Sequence, residues 1–186
     1  MSKAPATAVG MPDIVQNGAP ILRDSAKPVP RADIGTPRIQ GIIAGMKAAM
    51  DAQKDGIAIA APQIGQPLRI FVVSGKLLQQ ADKTYKGGSD DLVFVNPELS
   101  RMSRDTREVE EGCLSVRWLY GKVKRSTRVT LKGFDESSQK IERGASGLLA
   151  QIFQHEVDHL NGILFIDKAR ELWEMTPEEI AEHKKD

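Results

Sequence analysis

Apolar residues recur at helical spacing through one stretch of the chain, residues 146–162 (SGLLAQIFQHEVDHLNG). A spacing of three and four residues places them on one face of a helix. Ser146 suits the N-cap position, and Asn161-Gly162 suits the end of a helix. The pattern therefore predicts one amphipathic helix. Its apolar positions are Leu148, Leu149, Ile152, Phe153 and Leu160.

A second helix is predicted to begin at Thr36-Pro37, with Thr at the N-cap and Pro at the first helical position. Asp55-Gly56 indicates its end. Between these points the apolar residues again follow a helical period and predict a buried stripe. The stripe consists of Ile39, Ile42, Ile43, Met46, Ala49 and Met50.

Short apolar runs predict strands at residues 68–73 (LRIFVV) and 92–95 (LVFV), the second ending before Asn96-Pro97. Residues 79–91 between them are polar and predict a surface loop. Upstream of both helices, residues 14–30 carry prolines among apolar residues and predict an extended, irregular segment.

A hairpin is predicted from residues 128–134 (RVTLKGF), which alternate in polarity and can pair with residues 139–143. The predicted strands precede the 146–162 helix in hairpin order instead of alternating with helices. We therefore predict an α+β fold, with mostly antiparallel sheets packed around that central helix.

The chain has 186 residues, which is enough for a single domain with its own core. Residues 1–13 are rich in Ala and Pro, and we expect them to be poorly ordered. We expect residues 171–186 to form a short C-terminal helix and tail. Thr176-Pro177-Glu178-Glu179 is a capping box that begins this helix.

Charge and composition exclude several classes of protein. The 26 Lys and Arg against 25 Asp and Glu leave a net charge of +1, without the basic excess that nucleic acid or anionic membranes attract. No apolar run approaches the roughly 20 residues of a membrane span, and no secretory pattern opens the sequence. A single cysteine fits a reducing compartment. We expect a cytoplasmic protein.

The 146–162 helix also carries the pattern His155-Glu156-Val157-Asp158-His159. Residues four apart lie one turn above each other, so both imidazoles can reach one metal ion. Glu156 then lies beside the ion, where a carboxylate can take a proton from water. Two chance histidines on a solvated helix are the alternative. The chain has only three histidines, and two of them occur here with the glutamate in place, which favours a metal site.

Two histidines leave a catalytic metal one protein ligand short of the usual three. The remaining histidine, His183, lies in the charged tail. Cys113, in the segment EGCLS, is flanked by Gly112 and polar residues instead of a core pattern. A lone cysteine is more often a small buried apolar residue, but the need for a third ligand favours Cys113 here.

Three segments in this order, GIAIAAPQIG (56–65), EGCLS (111–115) and QHEVDHLNG (154–162), resemble the three motifs of the peptide deformylases. The resemblance extends from about residue 14 to about residue 168. It implies a metal-dependent hydrolase that removes the formyl group from N-formylmethionine and releases formate. The implied substrates are N-formylmethionyl peptides, as nascent chains at the ribosome.

The resemblance also implies roles for particular residues. Cys113, His155 and His159 would be the metal ligands, and Glu156 the general base and later the general acid. The side-chain amide of Gln63 and the backbone N–H of Leu114 would form an oxyanion hole. The resemblance implies Fe²⁺ as the ion in the cell, with Zn²⁺ or Ni²⁺ in purified protein.

Substrate contacts are predicted partly from spacing. Ile152, Gln151 and Leu148 lie three, four and seven residues before His155 on its side of the helix, where a methionine side chain would need an apolar pocket. We expect Val109 to close this pocket. By resemblance, the backbone of Ile57, Ala58 and Gly112 would hold the peptide as an added strand.

Glu111, Asp158 and Arg125 are predicted to form an ion network that orients the ligands; separate surface charges are the alternative. Two positions depart from the family. Ala58 stands where glycine is usual, and Arg117 stands where proline is common. Both departures fall at the rim of the predicted substrate site, so the substrate contacts there are expected to differ from those of the family.

Two other functions stay open from the sequence. A zincin-like endopeptidase would use the same histidine and glutamate pattern without Cys113 and would cleave internal peptide bonds. A non-catalytic metal-binding or peptide-binding module would need neither Glu156 nor Gln63.

Overall fold

The computed structural model describes residues 11–183 of the chain. Most of the segment 1–13, which we expected to be poorly ordered, lies outside these residues. Residues 14–30 form the predicted irregular segment, interrupted by a 3₁₀ turn at Pro20–Leu22. A second 3₁₀ turn at Arg31–Asp33 leads to the first helix.

Four helices occur in the described part of the chain. They are α1 (Pro37–Asp51), α2 (Gly75–Ala81), α3 (Gly147–Leu160) and α4 (Pro177–His183). The α1 helix begins where Thr36-Pro37 predicted, and its buried residues follow the predicted stripe, except that Ile42 is only partly buried. The prediction of its end at Asp55-Gly56 was wrong, since the helix ends at Asp51 and residues 52–55 form turns.

The α3 helix matches the predicted boundaries closely. Ser146 occupies the N-cap position without a side-chain capping bond, and Asn161 occupies the C-cap. Gly162 follows with φ of +73°, a left-handed conformation that glycine adopts without strain.

The strands form two antiparallel sheets. Those of the larger sheet are β1 (Ala58–Ala60), β2 (Ile70–Val73), β3 (Leu92–Met102), β6 (Arg128–Phe134) and β7 (Lys140–Ser146), in the order β1-β2-β3-β6-β7. The smaller sheet has the order β4-β5-β8, with β4 (Thr106–Gly112), β5 (Leu119–Ser126) and β8 (Arg170–Glu174). The fold is α+β with antiparallel sheets, as predicted.

The larger sheet is covered by a helix on each face. Ile70 and Val72 face the cluster that contains the buried residues of α1, whereas Phe71 and Val73 face the cluster around α3. Alternate residues of a strand point to opposite faces, so a run that is buried on both faces contains few polar residues. This explains the continuous apolar run in LRIFVV.

The α3 helix also contacts the smaller sheet, so it lies between the two sheets. The side-chain amide of Gln154 bonds both backbone groups of Ser126 at the end of β5, at 2.9 and 3.0 Å. Because the helix packs on both sheets, the residues along its length can meet side chains from each of them.

Several local predictions need correction. The strand predicted at residues 92–95 continues through Asn96-Pro97 to Met102, and its pairing with β6 shifts register after Val95. Residues 79–81 end α2 instead of belonging to a surface loop. The segment 171–186 begins within strand β8. Its capping box does form: the Thr176 N–H donates to Glu179 at 2.7 Å, and the Glu179 N–H donates back to Thr176 Oγ1 at 3.2 Å.

The described part of the chain holds no helix that combines the length and the apolar character needed to cross a membrane.

Candidate active site

A cleft of about 610 Å³ opens between the two sheets. Strand β1, the α3 helix and strand β4 line it, together with residues from β5 and from the C-terminal segment. Both β1 and β4 are edge strands, so each presents one unpaired edge. The cleft therefore combines polar backbone edges with the side chains of a central helix.

Three side chains of metal-ligating type meet beside this cleft: Cys113 and His155, which line it, and the buried His159. Their ligand atoms all lie within 4.8 Å of one another, and Cys113 Sγ is 3.2 Å from His159 Nε2. The histidines come from one face of α3, and the cysteine follows the end of β4. The third histidine, His183, ends α4, and its side chain lies outside the described part of the chain.

Electrostatics favour the ligating form of the cysteine. Burial by itself raises the pKa of the Cys113 thiol, but the charge of His159 and hydrogen bonds from both imidazoles outweigh it and lower the pKa to about 5. A thiolate is the form of cysteine that binds metals. Burial lowers the pKa of His155, yet its bonds to Cys113 and Glu111 raise it well above 6.5.

This donor set fits one divalent ion. One sulfur and two imidazole nitrogens leave a fourth position open for water or substrate, which is the pattern of catalytic sites. His155 uses Nδ1 to donate to Glu111 Oε2 at 2.9 Å, so the other ring nitrogen is left to bind an ion. A carboxylate that orients a histidine in this way is common at metal sites.

Glu156 lies in the cleft beside these three residues and is only 3% exposed. Its Oε2 atom has no hydrogen-bond partner in the described part of the chain. Burial raises the pKa of Glu156 to about 6, despite the opposing charges of His155 and His159. A buried carboxylate oxygen without a hydrogen-bond partner is costly, and it is poised to exchange protons with a bound molecule.

The amide of Gln63 is oriented by its neighbours. Its Oε1 accepts from the Ala60 N–H at 2.8 Å, while its Nε2 donates to Ser115 Oγ at 3.1 Å and lies 3.6 Å from Cys113 Sγ. The Leu114 N–H has no acceptor among the described groups, and Leu114 also lines the cleft. Both predicted oxyanion donors therefore lie beside the metal-ligating cluster.

The three predicted network residues are buried and joined. Arg125 donates to both Glu111 oxygens at 2.7 and 2.8 Å, and to Asp158 Oδ2 at 2.6 Å. Burial raises the pKa of Glu111, but hydrogen bonds from Arg125 and His155 lower it to about 2. Lys168, which the sequence did not indicate, binds the same Asp158 at 2.7 and 2.9 Å. This network connects β4, β5 and α3 directly behind His155.

The predicted methionine pocket is only partly as expected. Leu148, Gln151 and Ile152 line the cleft, but Val109 does not; it lies partly buried on β4, two residues before Glu111. The Gln151 amide donates to the Glu110 carbonyl at 2.8 Å. Gln151, and not Val109, thus connects α3 to β4 at this end of the cleft.

Backbone pairing distinguishes the predicted peptide-binding positions. The Ile57 carbonyl accepts from the Ser74 N–H at 2.8 Å, and the Ile57 N–H donates to Asp55 at 3.0 Å. Antiparallel ladder bonds alternate along a strand, so the backbone groups of Ala58 point away from β2. Gly112 lies on edge strand β4. Ala58 and Gly112 can offer backbone groups to a peptide, whereas those of Ile57 are already engaged.

Sequence reasoning missed part of the cleft. The missed lining residues are Asp55, Glu110, Trp173, Met175 and Ile180. Most of them belong to or adjoin β8 and α4. Arg117 and Tyr120 also line the cleft, and they belong to the stretch that begins at Arg117, which the sequence already placed at the substrate rim. The one available signal was the pair of apolar residues Trp173 and Met175 within an otherwise charged tail.

Comparison with known proteins gives a consistent result. The sequence model described as polypeptide deformylase matches residues 11–174. A peptide deformylase of Carboxydothermus hydrogenoformans is 40% identical over 84% of this chain and 91% of its own length. The chloroplastic peptide deformylase 1A of Solanum lycopersicum is 39% identical over 85% of this chain. This chain spans only 59% of the length of that plant relative.

A solved structure is also similar. The class I type b peptide deformylase of Acinetobacter baumannii, in a Met-Ala-Ser complex, is 32% identical and superposes with a TM-score of 0.75. The match covers 85% of this chain and 98% of that one.

Proposed function

The chain belongs to the polypeptide deformylase family, and from this premise we propose that it removes the formyl group from the N-terminal formylmethionine of new polypeptides. The main support for the proposal is that Cys113, His155 and His159 lie together beside the buried Glu156. The substrates would be N-formylmethionyl peptides, as nascent chains at the ribosome.

In this proposal Cys113, His155 and His159 hold one divalent ion, which supplies positive charge that polarises a carbonyl and acidifies water. Thiolate and imidazole ligands suit Fe²⁺, Zn²⁺ and Ni²⁺. We propose Fe²⁺ in the cell, with Zn²⁺ or Ni²⁺ able to occupy purified protein. Glu111, Arg125 and Asp158 would keep His155 in the tautomer and orientation that binding requires.

The residues around the ion have separate roles in the reaction. Glu156 takes a proton from the attacking water, whose oxygen forms a bond to the formyl carbon. The negative charge that develops on the formyl oxygen is stabilised by the Gln63 amide and the Leu114 N–H. Glu156 then gives its proton to the methionine nitrogen as the carbon–nitrogen bond breaks. The products are formate and a peptide with a free N-terminus.

The peptide would lie in the cleft as an additional strand, with backbone bonds to Ala58 on one side and Gly112 on the other. Its methionine side chain would enter the pocket formed by Leu148, Gln151 and Ile152. This arrangement places the formyl group at the metal-ligating cluster, because Gly112 immediately precedes Cys113.

The other two functions have less support. A zincin-like endopeptidase does not need Cys113, yet Cys113 lies within the ligand cluster. A non-catalytic binding module has no use for a buried carboxylate oxygen without a hydrogen-bond partner, such as Oε2 of Glu156.

The direct test is formate release from formyl-Met-Ala-Ser by protein that is prepared anaerobically, with the metal content measured in the same sample. We expect formate in proportion to bound metal and no cleavage of internal peptide bonds. Acetyl-Met-Ala-Ser serves as the control substrate. Cleavage of internal bonds without formate would support the endopeptidase instead.

The first prediction in this cleft concerns Ile152, which is 5% exposed. Ile152→Phe should fill the methionine pocket and lower kcat/KM, with normal metal content. Overpacking should also cost about 1–3 kcal/mol of stability. Leu148→Phe, at a less buried position, tests the same pocket with less risk to folding, and Ile152→Leu is the volume-matched control. Folded, metal-containing aromatic variants that still select methionine normally would show that the pocket lies elsewhere.

The second prediction concerns Ala58, which lines the cleft and stands where the resemblance to the family implies glycine. Ala58→Gly should change KM with little change in kcat, because contact along the bound peptide is the same in the ground state and the transition state. Steady-state kinetics with several formyl peptides measure this. An unchanged KM for all of them means that the methyl does not face the substrate.

A further inference from the structure

The C-terminal segment 170–182 contributes side chains to the cleft and almost nothing to the core. None of its residues is buried, and only Trp173, Met175 and Ile180 are partly covered. These three all line the cleft, and none belongs to a core cluster. The partial burial of these three side chains therefore comes from their position in the cleft and not from packing in the core.

Tyr120 extends this apolar surface toward the reacting centre. Gly112, Tyr120 and Trp173 pair in register across the three strands of the smaller sheet. The Tyr120 ring lies against Gly112, where an added Cβ would be only 2.5 Å from the ring. The lack of a side chain at Gly112 thus lets the ring lie over β4. We call Tyr120, Trp173, Met175 and Ile180 the C-terminal wall.

The wall is held in place by backbone contacts. Strand β8 pairs with β5, and the Met175 N–H donates to the Trp118 carbonyl at 3.1 Å. The reciprocal bonds between Thr176 and Glu179 hold the start of α4. A surface with so little core packing has its position defined mainly by these bonds.

The position of the wall suits a peptide that continues beyond methionine. Trp173, Met175 and Ile180 line the same cleft as Ala58 and Gly112, between which the peptide would lie. The methionine side chain would occupy the pocket of Leu148, Gln151 and Ile152. The cleft surface left for the second and third side chains then includes the wall.

We propose that the C-terminal wall binds an apolar side chain at the second or third residue of the substrate, so that segment 170–182 is a specificity element of the enzyme. This inference rests on the proposed function. The wall offers aromatic and aliphatic surface, and the nearby guanidinium of Arg117 is already paired with Asp55 at 2.6 and 3.2 Å. Apolar side chains gain by contact with such a surface, whereas carboxylates lose hydration and gain no cation.

The kinetic test compares two peptide series, formyl-Met-X-Ser and formyl-Met-Ala-X, with X as Leu, Phe, Ser or Asp. The unsubstituted enzyme should favour Leu and Phe over Asp by about tenfold in kcat/KM at one of the two positions. Trp173→Ala and Ile180→Ser should remove most of this preference, mainly through KM. Trp173→Phe should retain part of it.

Leu172→Ala is the matched control. Leu172 is the neighbour of Trp173 on β8, is 49% exposed and does not line the cleft. It should keep the full preference. The inference is overturned if the unsubstituted enzyme shows no preference at either position, or if Trp173→Ala behaves like Leu172→Ala.

A binding measurement needs no turnover. The chain has two tryptophans, Trp118 and Trp173, and Trp118 is 42% exposed outside the cleft. In metal-loaded Trp118→Ala enzyme, Trp173 is the only tryptophan and reports on the wall. Met-Ala-Leu or Met-Leu-Ser should shift its emission to shorter wavelength, and the matching Asp peptides should not. An equal response to the Leu and Asp peptides contradicts the inference.

The two failures are distinguishable. If the enzyme releases formate but shows no preference beyond methionine, the proposed function stands and the role of the C-terminal wall in specificity is rejected. If the enzyme releases no formate from any formyl peptide, the proposed function is rejected, whatever the fluorescence of Trp173 shows.

Discussion

Glu156→Gln should leave the metal in place and almost abolish formate release. The substitution keeps the size of the side chain and a hydrogen-bonding head group, but an amide cannot accept or return a proton. General acid–base catalysis contributes roughly 10²–10⁴-fold, and Glu156 would serve both proton transfers. We therefore expect a loss in kcat at or beyond about 10⁴-fold, a figure from the upper end of that range.

Metal stoichiometry and kcat, measured on the same preparation, separate catalysis from assembly of the site. Glu156 is not among the three clustered ligand residues, so the metal content should match that of the unsubstituted protein. The melting temperature should not fall, because the buried Oε2 atom has no partner to lose. Glu108→Gln, an exposed carboxylate on β4, is the control and should be fully active. Loss of metal from Glu156→Gln would contradict the role given to this residue.

Cys113→Ala should lose metal and activity together. It removes one of three ligands and leaves the two histidines of α3 without the sulfur that lies 3.2 Å from His159. Because a metal site forms only in the folded chain, its loss should also lower the stability of metal-loaded protein. Metal analysis, formate release and thermal unfolding on one preparation measure all three effects.

Cys113→Asp distinguishes the loss of a ligand from a general disturbance of the loop. A carboxylate oxygen can replace the sulfur, but it is a harder ligand, so the order of preference among Fe²⁺, Ni²⁺ and Zn²⁺ should change. Competition between the ions for the two proteins measures that order. Full metal and full activity in Cys113→Ala would instead revive the endopeptidase, which requires no cysteine ligand.

The sequence by itself determined the features that depend on local spacing. His155 and His159 are one helical turn apart wherever that helix forms, so they share a face, with Glu156 beside it. The starts of α1 and α4 were also predicted, since capping and proline preferences act within a few residues. The β6–β7 hairpin could be predicted because the two strands are neighbours in the chain and alternate in polarity.

The smaller sheet could not be predicted from its own residues. Strand β4 (TREVEEG) and strand β8 (RELWE) are largely exposed and mostly charged, so neither has a buried face that would impose a polar–apolar alternation. Their strand conformation comes from pairing with β5. Similarly, β3 continues past Pro97 because its pairing with β6 resumes after the register shift, which is a tertiary contact.

Only the tertiary structure decided which residues surround the histidines. Cys113 reaches them because β4 packs beside α3, where Arg125 binds Glu111 and Asp158, and Glu111 binds His155. The same packing brings Trp173 and Ile180 from the end of the chain to the cleft. The physical reason is common to both: a contact between distant segments depends on the packing of whole sheets and helices, whereas sequence patterns report the conformation of neighbouring residues.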